Sequence, residues 1–414
     1  MSLPDFSVAA DRSGSLSVKW NRDAIKSICN NPDAIPYWVA DMDFPAPIAV
    51  TEALREQAAH GVLGYPYGSS VVETFTDWAL RRHRWKVDPT MVVTAPGMLA
   101  AISILVELYS EEGDGILLPM PAYRPFVHII RSLGRKVVQW PMSYDAERNR
   151  FGLDVQSLQA LLSGSHIPIL LFCSPHNPSG RVFSEEELTE VASLSSRFGT
   201  MVISDEIHAD LTYEENGHTP FNEIARKFDL QSATCMAPSK TFNIAGEHCS
   251  VVVCSDATVR NRLAMRMRAL HLAPDLLASV TASAAYRHGE TWLGQLRNHL
   301  CSQAHAITSQ LAQSGTPLRF VTPQASFIGL IDCTAIMEKV TSDAERNAAL
   351  YDPSSSGDGG LLSRFFGQRG NIAVNDGSWF GADYGHFVRF NFGTSARAVQ
   401  EGITAMIDAV RSLR

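Results

Sequence analysis

From about Pro47 onward, short apolar runs of strand length alternate with segments of helical length. That alternation constrains the fold more than any other feature. Pro47 opens a helix that runs to about His60 and stops at Gly61, since proline suits a helix start and glycine its end. Met98 to Tyr109 reads as a mostly apolar helix, and Gly113 and Gly115 separate it from a strand at Ile116 to Leu118. Further strands are expected at Lys136 to Trp140, Ile167 to Phe172, Met201 to Ile203, near Thr234, and at Val251 to Cys254. The run Ile167 to Phe172 is apolar at every position, as a strand covered on both faces requires. Ser184 and Glu187 form a capping box at the head of another helix. Such alternation implies an α/β fold with a mostly parallel sheet between helices.

The last third reads differently. A long amphipathic stretch follows Pro274, then separated strands appear at Phe327 to Ile331 and Phe387 to Phe392. This predicts a smaller second α/β domain. The first forty-odd residues carry weak helix signals and several prolines, and are assigned to that domain. The expected division is a large domain over 48–290 and a small domain from 1–47 and 291–414. A chain of 414 residues suits two such units. The stretch YDPSSSGDGG, Tyr351 to Gly360, reads as a flexible surface loop.

Composition narrows the function classes. With 35 basic and 43 acidic residues the net charge is −8, and no basic stripe suits a nucleic acid. No apolar run is long enough to span a bilayer. The N-terminus shows no basic start followed by an apolar run, so no secretory signal is read there. The seven cysteines are scattered, without a CxxC pair or a Cys/His metal spacing. An odd count argues against a disulfide framework, and a cytoplasmic location is the expectation.

Ligands of open α/β sheets bind beyond the carboxyl ends of the strands. Three polar segments fall there. Cys173 to Arg181 reads CSPHNPSGR, Asp205 to His208 reads DEIH, and Ala237 to Phe242 reads APSKTF. An amide that can donate and accept, a carboxylate and a lysine thus meet on one rim.

The ordered motifs PHNPSGR, SDEIH, APSKTF and RFNFGTS resemble the class I/II aminotransferase superfamily of fold type I pyridoxal 5′-phosphate (PLP) enzymes. WVADMDFPAP and HGVLGYPYG are similar to its cystathionine β-lyase-like branch, the C–S lyases. The resemblance runs from about Trp38 to Thr394. It implies the PLP-dependent transferase fold, with a mostly parallel seven-stranded sheet in the large domain. It also implies that Lys240 forms the Schiff base with PLP and shuttles the substrate α-proton, since burial would lower its pKa. Asp205 would pair with the pyridine nitrogen and Asn177 with the ring oxygen. Tyr123 would stack on the ring.

Phosphate would lie on Gly97, Met98 and Leu99 at a helix start, with the Ser239 hydroxyl. Tyr65 matches a family tyrosine that reaches the phosphate of the neighbouring subunit, which implies a homodimer with shared active sites. Arg389 shares a strand face with Asn391 and would clamp the carboxylate of an amino-acid substrate. Trp38, Val39 and Ala40 would line the substrate side.

Two positions depart from the aminotransferase pattern. His208 stands where aminotransferases often carry a tyrosine that touches the ring oxygen; histidine occurs there in the lyase branch, and His208 is counted among the cofactor-binding residues. His248 stands where many aminotransferases carry a phosphate-gripping arginine, and it is assigned to the cofactor in that role. Glu247 beside it places an unexpected carboxylate near the site.

The reaction implied first is β-elimination of a carbon–sulfur bond. Aminotransfer is the alternative, as is a specialised reaction on a larger or sulfonium amino acid by γ-elimination or replacement. No metal site is read from the sequence.

Overall fold

A computed structural model describes residues 5–66, 70–213, 217–352 and 359–413. Its centre is a seven-stranded sheet. The strands in chain order are β1 (Val92–Ala95), β2 (Gly115–Met120), β3 (Lys136–Pro141), β4 (Ile169–Cys173), β5 (Met201–Asp205), β6 (Ser232–Met236) and β7 (Ser250–Cys254). Across the sheet the order is β1-β7-β6-β5-β4-β2-β3, and β7 alone runs antiparallel to its neighbours.

Alternation within the strands sends side chains to two cores. Ile116, Leu118, Ile169, Leu171 and Ile203 pack on one face; Leu117, Leu170, Phe172 and Val202 pack on the other. Every one of these side chains is buried. This is why the runs are apolar throughout rather than at alternate positions. Strand β4 begins two residues later than its apolar run suggests. Pro168 has no N–H for the ladder, although its carbonyl accepts from Met201 N at 2.9 Å.

The expected helices form. The helix α2 (Ile48–His60) ends on Gly61, which takes the left-handed conformation. The helix α4 (Met98–Tyr109) follows β1, and Ser184 and Glu187 complete a capping box. Between α2 and α4 lies α3 (Ser70–His83).

Three expectations need correction. The N-terminal segment holds a helix, α1 (Arg22–Cys29), capped by Asn21 and burying Ile25, Ile28 and Cys29. The long amphipathic stretch is two helices, Leu276–His288 and Glu290–Gln313, divided at Gly289. A Cβ on Gly289 would lie 2.2 Å from the Phe242 ring, so only glycine allows this approach. Within Tyr351 to Gly360, the first residue is anchored rather than loose: Tyr351 is buried and bonds Asp343. Residues 353–358 lie outside the described residues.

A second, four-stranded antiparallel sheet contains β8 (Arg319–Val321), β9 (Ile328–Asp332), β10 (Asn375–Asp376) and β11 (Phe387–Asn391) in the order β8-β9-β11-β10. Ile35–Pro36 pairs in parallel with Ile372–Ala373, which ties the N-terminal segment to the C-terminal one. Among the described residues no helix is long and apolar enough to cross a membrane. All seven cysteines are free, and all but Cys301 are buried.

Gly180, in the turn after β4, has φ +69°, and a Cβ there would lie 2.2 Å from that of Pro323. Gly180→Ala should therefore destabilise the chain by on the order of 2 kcal/mol. A lower thermal unfolding midpoint checks this.

Candidate active site

The carboxyl ends of β4, β5 and β6 deliver their loops to one cavity of about 350 Å³. It is lined by Asn177 after β4, Asp205 at the end of β5 with His208 beyond it, and Ser239 and Lys240 after β6. Gly97, Met98 and Leu99 close it from the start of α4, with His248 and Glu247 beside them, and Tyr123 and Ala40 complete the wall. Sequence reasoning brought these residues together. It missed Cys173, Ile207, Ala245 and Cys249, apolar or weakly polar wall residues that carry no signal in the sequence.

Lys240 is on a single helical turn, Pro238–Thr241. Its Nζ donates to the Ala40 carbonyl at 2.6 Å. Burial drives its pKa down to about 8, with Asp41 and Asp205 opposing and Arg389 assisting. Asp205 responds in the opposite sense: burial raises its carboxyl to about 7. Among the described residues one hydrogen bond reaches that carboxyl, from Ile207 N at 3.0 Å. His208 is buried, and burial lowers its pKa to about 3, so it is neutral. Its Nδ1 lies 2.9 Å from Ser326 Oγ.

The segment Trp38–Phe44 is held by side-chain amides, by the Arg389 and Arg12 guanidinium groups and by Lys19. Arg389 Nη2 donates to Trp38 O at 2.8 Å and Asn391 Nδ2 to Asp41 O at 2.7 Å. Asn243 accepts from Met42 N at 2.9 Å and donates to Met42 O and Phe44 O. Asn243 has φ +55°, a conformation asparagine tolerates better than most residues. Its role was not read from the sequence; asparagine three residues after the site lysine is the only hint.

Trp38 and Val39 do not line the cavity. They contribute backbone carbonyls, and the Trp38 side chain packs with Ile25 and Ile28. Nor does Tyr65, which is 102% exposed on this chain.

Arg389 is buried behind the cavity wall. Its Nη1 donates to Asn177 Oδ1 at 3.2 Å and its Nη2 to Asn375 Oδ1 at 2.7 Å. Burial lowers its pKa to about 10, yet it stays charged. Its Nε and the Asn375 Nδ2 are buried without a partner among the described residues. Two donors thus wait for an acceptor.

These features fit an anionic, electron-withdrawing cofactor. The N-cap of α4 is Gly97, with no side-chain cap and no acidic residue in the first turn. An anion there would satisfy free N–H groups and meet the helix dipole. Gly97 has φ +95°, and a Cβ on it would lie 3.3 Å from His248 Nδ1, so the imidazole lies over that helix start. A cation beside Asp205 would relieve its buried charge. Arg389 can only donate, so it fixes the Asn177 oxygen toward itself and leaves the Asn177 NH₂ free to donate elsewhere.

Comparison with known proteins points the same way. A family profile described as aminotransferase class I and II matches residues 38–406. Cystathionine beta-lyase PatB of Bacillus subtilis is 33% identical, over 96% of this chain and 98% of its own. Among solved structures, cystalysin of Treponema denticola, which contains PLP, superposes with TM-score 0.89 at 25% identity over 100% of both chains. The PLP-bound C–S lyase of Staphylococcus hominis superposes with TM-score 0.86 at 25% identity over 98% of each.

The Asp205 carboxyl makes a stability prediction. Its folded pKa, about 7, lies above the ordinary 3.8, so its favourable contribution is complete below pH 3.8 and lost as pH rises through about 7. Asp205→Asn in the cofactor-free chain should escape this loss. Its stability advantage should grow across that window and level off above it, as read by urea unfolding at about pH 5 and about pH 8.

Proposed function

Because the chain belongs to the class I and II aminotransferase family, we propose that it is a PLP-dependent carbon–sulfur lyase, eliminating a thiol from the β-carbon of a sulfur-containing amino acid. The observation that carries this reading is the single cavity shared by a buried lysine near neutrality, a buried carboxylate and an uncapped helix start. Relatives spanning nearly the whole chain and named as cystathionine beta-lyases and C–S lyases support elimination over aminotransfer.

When bound, PLP supplies a protonated ring that accepts the electron pair released at the substrate α-carbon. Asp205 would keep the ring nitrogen protonated, which would pair its own buried charge. The Asn177 NH₂, oriented by Arg389, would donate to the ring oxygen. Tyr123 would cover a ring face. The start of α4, Ser239 and His248 would hold the phosphate.

Lys240 is the covalent anchor. When not bonded to the cofactor, its amine is near enough to neutral to take the α-proton at Nζ. Arg389 Nε and Asn375 Nδ2 are the unpaired donors for the substrate carboxylate. Loss of the Cβ–S bond then yields a thiol, the sulfur taking one proton, and the remaining three-carbon fragment takes up one water to give pyruvate and ammonia. Incubating the holoenzyme with cystathionine should release all three, and Lys240→Ala should abolish both turnover and the lysine-linked absorption band. Amino transfer to a keto acid with no thiol formed would replace elimination with the aminotransferase reading.

The active enzyme in this reading is a homodimer. Tyr65 follows Val62 and Leu63 on an extended, exposed stretch, an apolar run suited to a partner surface. Tyr65 serves the partner's phosphate site, so two inactive chains can complement each other. Refolding Tyr65→Ala with Lys240→Ala in equal amounts should restore about a quarter of wild-type activity, since half of the random dimers hold one intact site. No recovery would mean that each site is built from one chain.

A further inference from the structure

The turn that carries Lys240 is four residues long, too short to hold its own shape. The residue after the lysine, Thr241, is fully buried, and its Oγ1 donates to Asp210 Oδ2 at 2.9 Å. Asp210 is itself buried, in a short 3₁₀ turn just beyond His208. Its other oxygen, Oδ1, accepts from Trp78 Nε1 at 3.0 Å and from His83 Nε2 at 2.8 Å. Arg82 Nη2 donates to the Asp210 carbonyl at 3.0 Å. An ionised carboxylate only accepts, so His83 must carry its proton on Nε2. Burial raises the carboxyl, but His83, Arg82 and Thr241 outweigh it and hold its pKa below the usual value.

One carboxylate therefore joins three things: the last turns of α3, the loop that presents Asp205 and His208, and the turn that presents Lys240. The ring beyond Thr241 adds a second tie, because Phe242 meets Trp78 edge to face at 5.6 Å. None of these groups lines the cavity.

We propose that Asp210 is a positioning residue for Lys240, acting through the Thr241 hydroxyl to set where the ε-amino group meets cofactor and substrate. The inference rests on the PLP-dependent reading above. Rotation of an unsupported turn swings Nζ at the end of a four-carbon stem, and a displacement of about 1 Å at a reacting atom can cost about a hundredfold in rate. Asp210 acts by geometry: the carboxylates that act on the lysine charge are Asp41 and Asp205.

The test uses the holoenzyme, three single variants and one double variant. Thr241→Val keeps the shape of the side chain and removes the hydroxyl. It should lower kcat about 10- to 100-fold with KM within about twofold, and should shift the pH at which the lysine-linked cofactor band titrates. Thr241→Ser should restore both. Asp210→Asn should reproduce the valine variant, and the double variant should be no worse than either alone, because both changes break one linkage. Wild-type kcat and an unshifted band in Thr241→Val would overturn the proposal, and so would multiplicative losses in the double variant. Should Asp210→Asn fail to fold, Thr241→Val and its serine rescue decide. A wild-type protein lacking the band altogether would remove the PLP reading itself.

Discussion

An amine buried at position 240 costs free energy whenever it is charged, and the rest of the site follows from that. Desolvation brings its pKa to about 8, and an amine near neutrality can act as nucleophile and as base. The fold does not simply abandon it in an apolar hole. Ala40 O accepts its hydrogen bond, and Asp41 and Asp205 moderate the shift. The same burial acts on Asp205 with opposite sign and lifts its carboxyl to about 7. Two buried groups with strongly shifted pKa values share one cavity, and such shifts cluster at functional sites.

The surrounding polar network explains how so many buried groups are tolerated. The segment Trp38–Phe44 offers carbonyls that Arg389, Asn391 and Asn243 satisfy from two directions. On the same segment, Arg12 and the buried Lys19 pair with Asp41 and Asp43. A buried charge left alone is costly, whereas one that is paired and hydrogen-bonded is not. The unpaired atoms are informative for that reason: Arg389 Nε and Asn375 Nδ2 are buried donors without a partner among the described residues. Asn375 lies on the strand register opposite Arg389, so the sheet itself aligns the two.

Much of this was legible in the sequence. Apolar runs mark strands buried on both faces, and Gly61, Ser184 and Glu187 mark helix ends because their backbone chemistry is local. The rim residues Asn177, Asp205 and Lys240 were placed by strand ends, since the parallel sheet fixes where its loops emerge. What stayed hidden depends on contacts distant in the chain. Phe242 packs against Gly289, where the two helices divide, and nothing near Gly289 in the sequence points to that contact. Trp38 was expected as a wall, but its indole bonds Lys19 O and packs inward, leaving only its carbonyl to the site. Asp210 reads as one more acidic residue until Trp78, His83 and Thr241 are seen to converge on it.

Reduction of the holoenzyme with borohydride, followed by proteolysis and mass spectrometry, reads out which amine holds the cofactor. One added pyridoxyl phosphate per chain is expected, on the peptide containing Lys240. An unmodified Lys240 peptide, or the label on another lysine such as the buried Lys19, would contradict it.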